Sequence, residues 1–255
     1  MSDDGGVFPP DAVIRRVDGE AALLFGAGRA LLLQLAHPSV ARAVVEHSAF
    51  ECDPLARLQG TLNASYTVVF GARDEAQQMA ASIRRVHERV AGDGYAATDP
   101  SLLMWVHATL VDTALLVYPA LVAPLGRADE EEYYRQSMVV AEMLGCPRAS
   151  QPADLAAFRV YLRDTVCMLE VTPEAKRAAG VVLHPRLLAG GIPVSWAAGP
   201  ALSLARFITV GTLPEPIRTQ YGFAWDGRRD VALRLGAEMA RRALAVVPSS
   251  MRRVA

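Results

Sequence analysis

The sequence is poor in lysine and cysteine, and each shortage narrows the range of functions. Lys176 is the only lysine, so almost all positive charge is carried by arginine, which pairs with carboxylates through a fixed two-pronged geometry. The three cysteines, Cys52, Cys146 and Cys167, are far apart and form no C-x-x-C motif. This spacing disfavours a disulfide framework or a zinc site and predicts reduced thiols in the cytoplasm.

An excess of charge, a signal peptide and a bilayer-spanning run are also missing. The net charge of -1 gives no electrostatic reason to expect nucleic acid or an anionic membrane as a partner. Residues 1–10 are acidic and polar, unlike a secretory signal, and are expected to be flexible. The most apolar run, residues 21–36, is interrupted by Arg29 and Gln34 and falls short of the about 20 residues that cross a bilayer. We interpret it as a buried helix and predict no transmembrane segment.

Several enzyme signatures are absent as well. The chain has no G-x-S-x-G, no P-loop, no H-E-x-x-H and no set of kinase motifs. The GAGRA segment at residues 26–30 lacks a preceding strand and a third glycine, so it does not predict dinucleotide binding. The acidic run at residues 129–132 is most simply the first turn of a helix.

Signals that start and stop helices recur along the chain, whereas strand alternation does not. Asp53, Asp99 and Thr172 each precede a proline, the pattern of a helix cap followed by its first turn. With 52% apolar residues, the chain is predicted to be a single all-α domain over residues 1–255. Residues 180–200, rich in glycine and proline, are predicted to form an irregular loop, with one weak candidate strand at 181–183. The predicted helices are 12–35, 39–48, 54–70, 74–91, 100–118, 128–144, 154–170, 173–179, 201–210, 214–221 and 228–246.

His87 lies in the apolar helical sequence of residues 74–91. An apolar stripe runs beside it at spacings of three and four, so its ring is expected to point toward the core; the stripe consists of Met79, Ile83, Val86 and Val90. A histidine in this position is either a core residue bonded to a carbonyl oxygen or a metal or haem ligand. Taken alone, the core interpretation is favoured.

His107 is a second candidate for axial ligation. It lies on an apolar face of the helix over residues 100–118, which is apolar on its other side too and is therefore predicted to be central. Asp112, five residues later, is expected to point away from His107. His184 is predicted to lie at the surface.

Arg57 and Thr61 are four residues apart and share a helix face. Arg57 could bind an anion such as a haem propionate, and Thr61 could orient a ligand histidine. Alternatively, Arg57 extends to water and Thr61 bonds back to the carbonyl oxygen of Arg57, which spacing alone favours. His37 and His47 would be about 15 Å apart along a helix, which is too far for both to bind one metal. A structural role and a functional role are both open for each of them.

The motifs together resemble those of a known family. HPSVARAVVEHSAF, DPLARLQGT, VFG, RVHERV, WVHATLVDTAL and GTLPEPIR are similar to the MpaB-type oxygenases, which include rubber oxygenase (latex clearing protein). The resemblance extends from about residue 11 to near the carboxyl terminus. It implies a helical fold that encloses a b-type haem, and characterised members cleave carbon–carbon double bonds of isoprenoids with dioxygen.

The resemblance also assigns site residues by position. The Arg-x-x-x-Thr pair falls on Arg57 and Thr61, and the proximal haem histidine falls on His87, with His107 as the alternative. The lysine that precedes the threonine in rubber oxygenases is Gly60 here.

The catalytic glutamate of rubber oxygenases has no counterpart either, because residues 40–44 contain no acid. The rubber-cleaving mechanism therefore does not transfer. His37 and His47 are the candidates for lining the distal side of the haem pocket.

These observations predict a cytoplasmic b-type haem oxidoreductase, an oxygenase that acts on a small apolar, isoprenoid-like or secondary-metabolite molecule with dioxygen or peroxide. The predicted catalytic residues are His37, Arg57 and Thr61. The haem would be held by His87, Arg57, Thr61 and His107, with His87 on the iron. The alternatives are a haem-binding sensor or carrier and a helical interaction protein without cofactor, and a homo-oligomer stays open.

Overall fold

A computed structural model describes residues 5–47, 54–184, 188–189, 192–193 and 195–254. These residues are mostly helical, which confirms the predicted all-α class. The α-helices are α1 Val13–Asp18, α2 Ala27–Leu35, α3 Pro38–His47, α4 Pro54–Phe70, α5 Arg73–His87, α6 Pro100–Leu121, α7 Arg127–Met143, α8 Leu155–Met168, α9 Pro173–Leu183, α10 Ser195–Thr212, α11 Glu215–Tyr221, α12 Gly227–Ala245 and α13 Ser249–Arg252.

Short elements connect these helices. Two 3-10 helices cover Ala21–Gly26 and Arg148–Ser150. Two antiparallel hairpins pair β1 Ala91–Gly92 with β2 Tyr95–Ala96, and β3 Leu188–Ala189 with β4 Ile192–Pro193.

The core is organised around α6. Twelve of its twenty-two residues are buried, which confirms its predicted central position. Helix α2 packs along it, and the indole nitrogen of Trp105 donates to the carbonyl oxygen of Leu33 at 3.1 Å. Within the described residues, α6 is the one helix long and apolar enough to cross a bilayer, and 56% of that stretch is buried inside the protein. This burial is what a core helix requires.

The predicted helix over residues 12–35 is interrupted, so this prediction is wrong. Its residues form α1, a 3-10 helix and α2. The break comes where Gly19 and Glu20 pair with the carboxyl-terminal tail: Glu20 bridges to Arg253, and the backbone nitrogen of Val254 donates to the carbonyl oxygen of Gly19. Partners at the opposite end of the chain thus override a locally helical sequence.

The prediction for residues 180–200 is also wrong in its described part. Residues 181–183 belong to α9 and not to a strand, because Ala178, Ala179 and Leu183 continue the buried face of that helix. A hairpin follows, and α10 starts at Ser195 with Pro200 inside it. The glycines and prolines of this segment therefore did not prevent helix formation in its described parts.

Helix starts agree well with the sequence. The side chain of Asp99 accepts from the backbone nitrogen of Ser101, and Thr172 accepts from that of Ala175, as predicted for two caps. Asp129 and Glu130 lie in the first turn of α7, as predicted. Asp53 lies outside the described residues.

Candidate functional site

Helices α4 and α5 form an antiparallel pair joined by Gly71 and Ala72. At 1.5 Å per residue, Arg57 lies about 21 Å from this connection along α4, and His87 lies about 22 Å from it along α5. The pair therefore brings the backbone of Arg57 and His87 to the same level, at its open end. Thr61 lies one turn closer to the connection and is exposed. The side chain of Arg57 lies outside the described residues.

His87 continues the inward face of α5. The buried residues of this helix are Ala76 and Ala80, and the partly buried Ile83 and His87 follow at spacings of three and four. The inward direction predicted for His87 is thus confirmed. The prediction that Val86 lies on the core stripe is wrong, since 56% of its surface is exposed.

The surroundings of His87 favour the neutral form of its imidazole. Burial lowers its pKa below the ordinary value, and its Nδ1 atom is buried without a hydrogen-bond partner. A buried polar atom left unpaired costs free energy, so this nitrogen is a position where a ligand would restore a lost interaction. Because Nδ1 has no partner, the predicted support of the ring by Thr61 is not formed through that atom.

His107 is enclosed between α6 and α7. Burial lowers its pKa to about 4, opposed by a hydrogen bond to the backbone of Ser137. Its Nε2 atom is buried and has no partner. In metal-ligating histidines, too, one ring nitrogen forms a hydrogen bond within the protein and the other is left for the metal. Near these two histidines along the chain, the side chains of Arg84 on α5 and Leu103 on α6 both approach Gly145.

The other three histidines differ from one another. His37, between α2 and α3, has a buried Nδ1 without a partner, and burial lowers its pKa while Asp99 opposes that shift. His47 is exposed and lies 3.1 Å, through Nε2, from the carbonyl oxygen of Ala91, so it ties α3 to the first hairpin. His184 is at the surface, as predicted, where its Nε2 accepts a hydrogen bond from Arg206 at 2.7 Å.

The sequence as a whole matches one family. Residues 14–242 match the family model described as "ER-bound oxygenase mpaB/B'/Rubber oxygenase, catalytic domain". The chain belongs to this oxygenase family. No curated protein and no solved structure matches it. The resemblance drawn from the motifs is confirmed, and membership supports an oxygenase activity.

This oxygenase also has a buried ion pair that motif reasoning did not assign. The Arg29 guanidinium is almost fully buried and donates to Asp112 Oδ2 at 2.6 Å, Thr113 Oγ1 at 2.8 Å and the carbonyl oxygen of Thr212 at 2.8 Å. The ion pair ties α2, α6 and α10 together. Asp112 points away from His107, as predicted. The signal in the sequence was a charged residue within the most apolar run.

The glycines of the GAGRA segment serve this same junction. A Cβ atom on Gly28 would lie 2.3 Å from Thr209 Oγ1, and one on Gly26 would lie 2.4 Å from Thr113 Cγ2. Real Cβ atoms do not approach so closely. Gly26 therefore permits the close approach of α6, and Gly28 permits that of α10. Their role in this oxygenase is close packing and not phosphate binding.

A second unassigned group lies between α1, α4 and α7. The hydroxyl of Tyr133 donates to Asp18 Oδ1 at 2.8 Å, and desolvation raises the pKa of Asp18 to about 7. Desolvation raises the pKa of Tyr66 of α4, and the nearby charge of Asp18 raises it further. Residues with strongly displaced pKa values often occur at functional sites, although structural clusters produce them as well. Spacing along the chain did not point to Asp18, because its partners come from two distant helices.

Proposed function

We propose that this oxygenase uses a b-type haem bound through His87. The observation that carries the proposal is the unpartnered, buried ring nitrogen of His87 at the open end of the α4–α5 pair. The same end carries the backbone of Arg57, with Thr61 one turn away. Among the described residues, no cluster of three or more histidine, cysteine or acidic side chains is arranged to hold a metal ion, whereas haem needs only one strong protein ligand.

The residues at this end fit a haem in their chemistry. His87 is held neutral by the burial that lowers its pKa, and neutral imidazole is the form that ligates iron. Arg57 is the cation suited to a propionate, because guanidinium and carboxylate form paired, charge-assisted hydrogen bonds. Haem, when bound, supplies redox chemistry at iron, while the protein supplies binding, orientation and electrostatics.

His37 is proposed to serve the reacting side of the pocket. Its burial lowers its pKa, so it stays neutral near pH 7, and its Nδ1 atom is free to accept or donate one hydrogen bond. A neutral imidazole can hold or pass a proton without introducing a charge. The substrate class proposed is a small apolar molecule, isoprenoid-like or a secondary metabolite, oxidised with dioxygen or peroxide.

The first experiment is the absorption spectrum of the protein purified after expression with a haem precursor, with the pyridine haemochrome assay. We expect a Soret band and b-type haem near one per chain. Protein that carries no haem and takes up no added hemin would overturn the proposal. It would then favour the helical interaction protein without cofactor.

A haem-binding sensor or carrier is the second candidate, and His107 favours it. Its bare Nε2 and anchored ring are those of a strong ligand, so a second histidine on the iron would close the site to oxygen. A six-coordinate, low-spin spectrum that does not respond to carbon monoxide would support this candidate. A spectrum that shifts with carbon monoxide would support the enzyme.

A further inference from the structure

Helix α12 packs one side against the core and leaves large apolar residues exposed on the opposite side. Ala237, Ala240 and Leu244 pack against the core, and none of the nineteen residues of α12 is fully buried. The opposite side presents large side chains at helical spacing, with exposures rising from 46% to 84%. We call this side the α12 face, formed by Val231, Leu235, Met239 and Val246.

The exposure is concentrated in this part of the molecule. Of the fifteen large apolar side chains that are exposed in the described residues, six lie within residues 226–254: the four of the α12 face, Met251 and Val254. Leu204 of α10, which packs beside α12, adds a seventh. Contiguous apolar surface of this kind marks a contact site, whereas scattered exposed residues are ordinary.

Positive charge is concentrated in the same segment. Residues 226–254 contain seven arginines and three carboxylates, although the whole chain has a net charge of -1. Arg241 and Arg242 share Glu238, whereas Arg228 and Arg234 form no ion pair among the described residues. At 100° per residue, Arg228 and Arg242 fall on the α12 face, and Arg234 lies on its flank.

The positive charge of the α12 face distinguishes between the partners that could cover it. A second copy packed face to face would set arginines against arginines, and like charges in contact disfavour that association. An acidic surface is complementary instead. An amphipathic surface helix that carries arginines beside exposed apolar side chains fits the boundary between lipid headgroups and acyl chains.

We propose that the α12 face docks this protein onto an anionic lipid surface. Leu235 and Met239 enter the acyl boundary, while arginines bury their carbon chains and keep their guanidinium groups at the phosphates. The contact is peripheral, because α12 is a surface helix with polar residues along its flank. It needs no haem, so its test does not depend on the proposed cofactor.

The test measures flotation of the purified full chain with vesicles of phosphatidylcholine alone and of phosphatidylcholine mixed with phosphatidylglycerol. We expect binding to the mixed vesicles only, weakening as salt screens the arginines. The double variant Leu235→Ser, Met239→Ser should bind at least about tenfold less, since two inserted side chains are lost. Arg228→Gln with Arg234→Gln should also weaken binding and flatten its salt dependence.

The matched control is Val160→Ser with Met168→Ser on α8, two side chains of comparable exposure outside the segment. It should bind like the parent protein, and all variants should keep the parent circular dichroism spectrum because the altered side chains are exposed. Absence of binding, equal binding to both vesicles, or equal loss in the control would overturn the proposal. A dimer in light scattering that Leu235→Ser, Met239→Ser dissociates, without vesicle binding, would assign the face to a second copy instead.

Discussion

The α2–α6 core and the α4–α5 pair differ in whether their buried polar groups have hydrogen-bond partners. Helix α6 buries twelve of its twenty-two residues, and the charge enclosed beside it, Arg29, has three acceptors. Helix α5 buries two alanines of its fifteen residues and ends at His87, whose buried nitrogen has none. A satisfied buried group stabilises the fold, whereas an unsatisfied one at an accessible end is suited to a ligand. His107, unsatisfied but inside the core, is the case that tests this distinction.

The largest expected effect separates the two histidines. His87→Ala should abolish haem retention, because the iron loses its protein ligand. His107→Ala should leave haem bound with an unchanged Soret band and instead lower the thermal midpoint, because it empties space in a packed core. The absorption spectrum and the unfolding midpoint are measured on both variants. The reverse result, with haem lost only in His107→Ala, would move the ligand to α6 and reverse the comparison.

The next effect concerns the satisfied charge of the core. Asp112→Ala leaves the guanidinium of Arg29 buried with two neutral acceptors, and we expect a loss of about 3 kcal/mol in the free energy of unfolding. Urea denaturation measures it. Arg127→Ala, which removes an exposed ion pair with Glu131, is the matched control and should change stability little. A similar small loss in both variants would show that the core charge is not held more strongly than a surface one.

A pH effect follows from His107. Its folded pKa of about 4 lies below the unfolded value of 6.5, so the unfolded chain binds the proton more readily. This contribution is therefore present above pH 6.5 and is lost as the pH falls toward 4, at about 2–3 kcal/mol. His107→Gln cannot titrate, so its stability should fall less than that of the parent between pH 7 and about pH 4. Parallel stability curves for the two proteins would contradict the enclosed position of His107.

Asp18 gives a second pH effect, of the opposite sign. Its folded pKa of about 7 lies above the ordinary value of 3.8, so the folded state holds the proton. The contribution of this group to stability therefore falls as the pH rises from about 4 to 7. Asp18→Asn keeps an acceptor for Tyr133 and carries no charge. We expect it to match the parent near pH 4 and to exceed it by up to about 4 kcal/mol at pH 8. Tyr133→Phe is the companion variant, which should not remove the pH dependence. A parent that is as stable as Asp18→Asn at pH 8 would show that the carboxyl is solvated.

Local patterns in the sequence predicted the fold class and many element boundaries. Helix α4 was predicted at its observed bounds, and α7 and α12 within one residue, because their periodicity is contained in the segments themselves. The predictions failed at Gly19 and in residues 180–200, where distant segments decide the backbone. Among site residues, the inward direction of His87 was predictable from α5 alone. The partners of Arg29 and Asp18 were not, because they come from helices far along the chain.

The net charge and the arrangement of the charges lead to different expectations. A net charge of -1 gives no reason to expect an anionic membrane as a partner, but a sum does not record where the charges lie. Folding sets the α12 arginines beside exposed leucine and methionine on one surface. The vesicle experiment thus tests the expectation from the net charge against the expectation from the position of the α12 arginines.

By itself, the sequence determined the all-α class, the oxygenase family and which histidines are the candidate ligands, since these depend on residue types and short spacings. Only the tertiary structure decided which ring nitrogens are left without partners, which carboxyl is desolvated, and which apolar helix face stays in water. These properties depend on the neighbours that surround each group, and those neighbours come from parts of the chain that periodicity cannot relate.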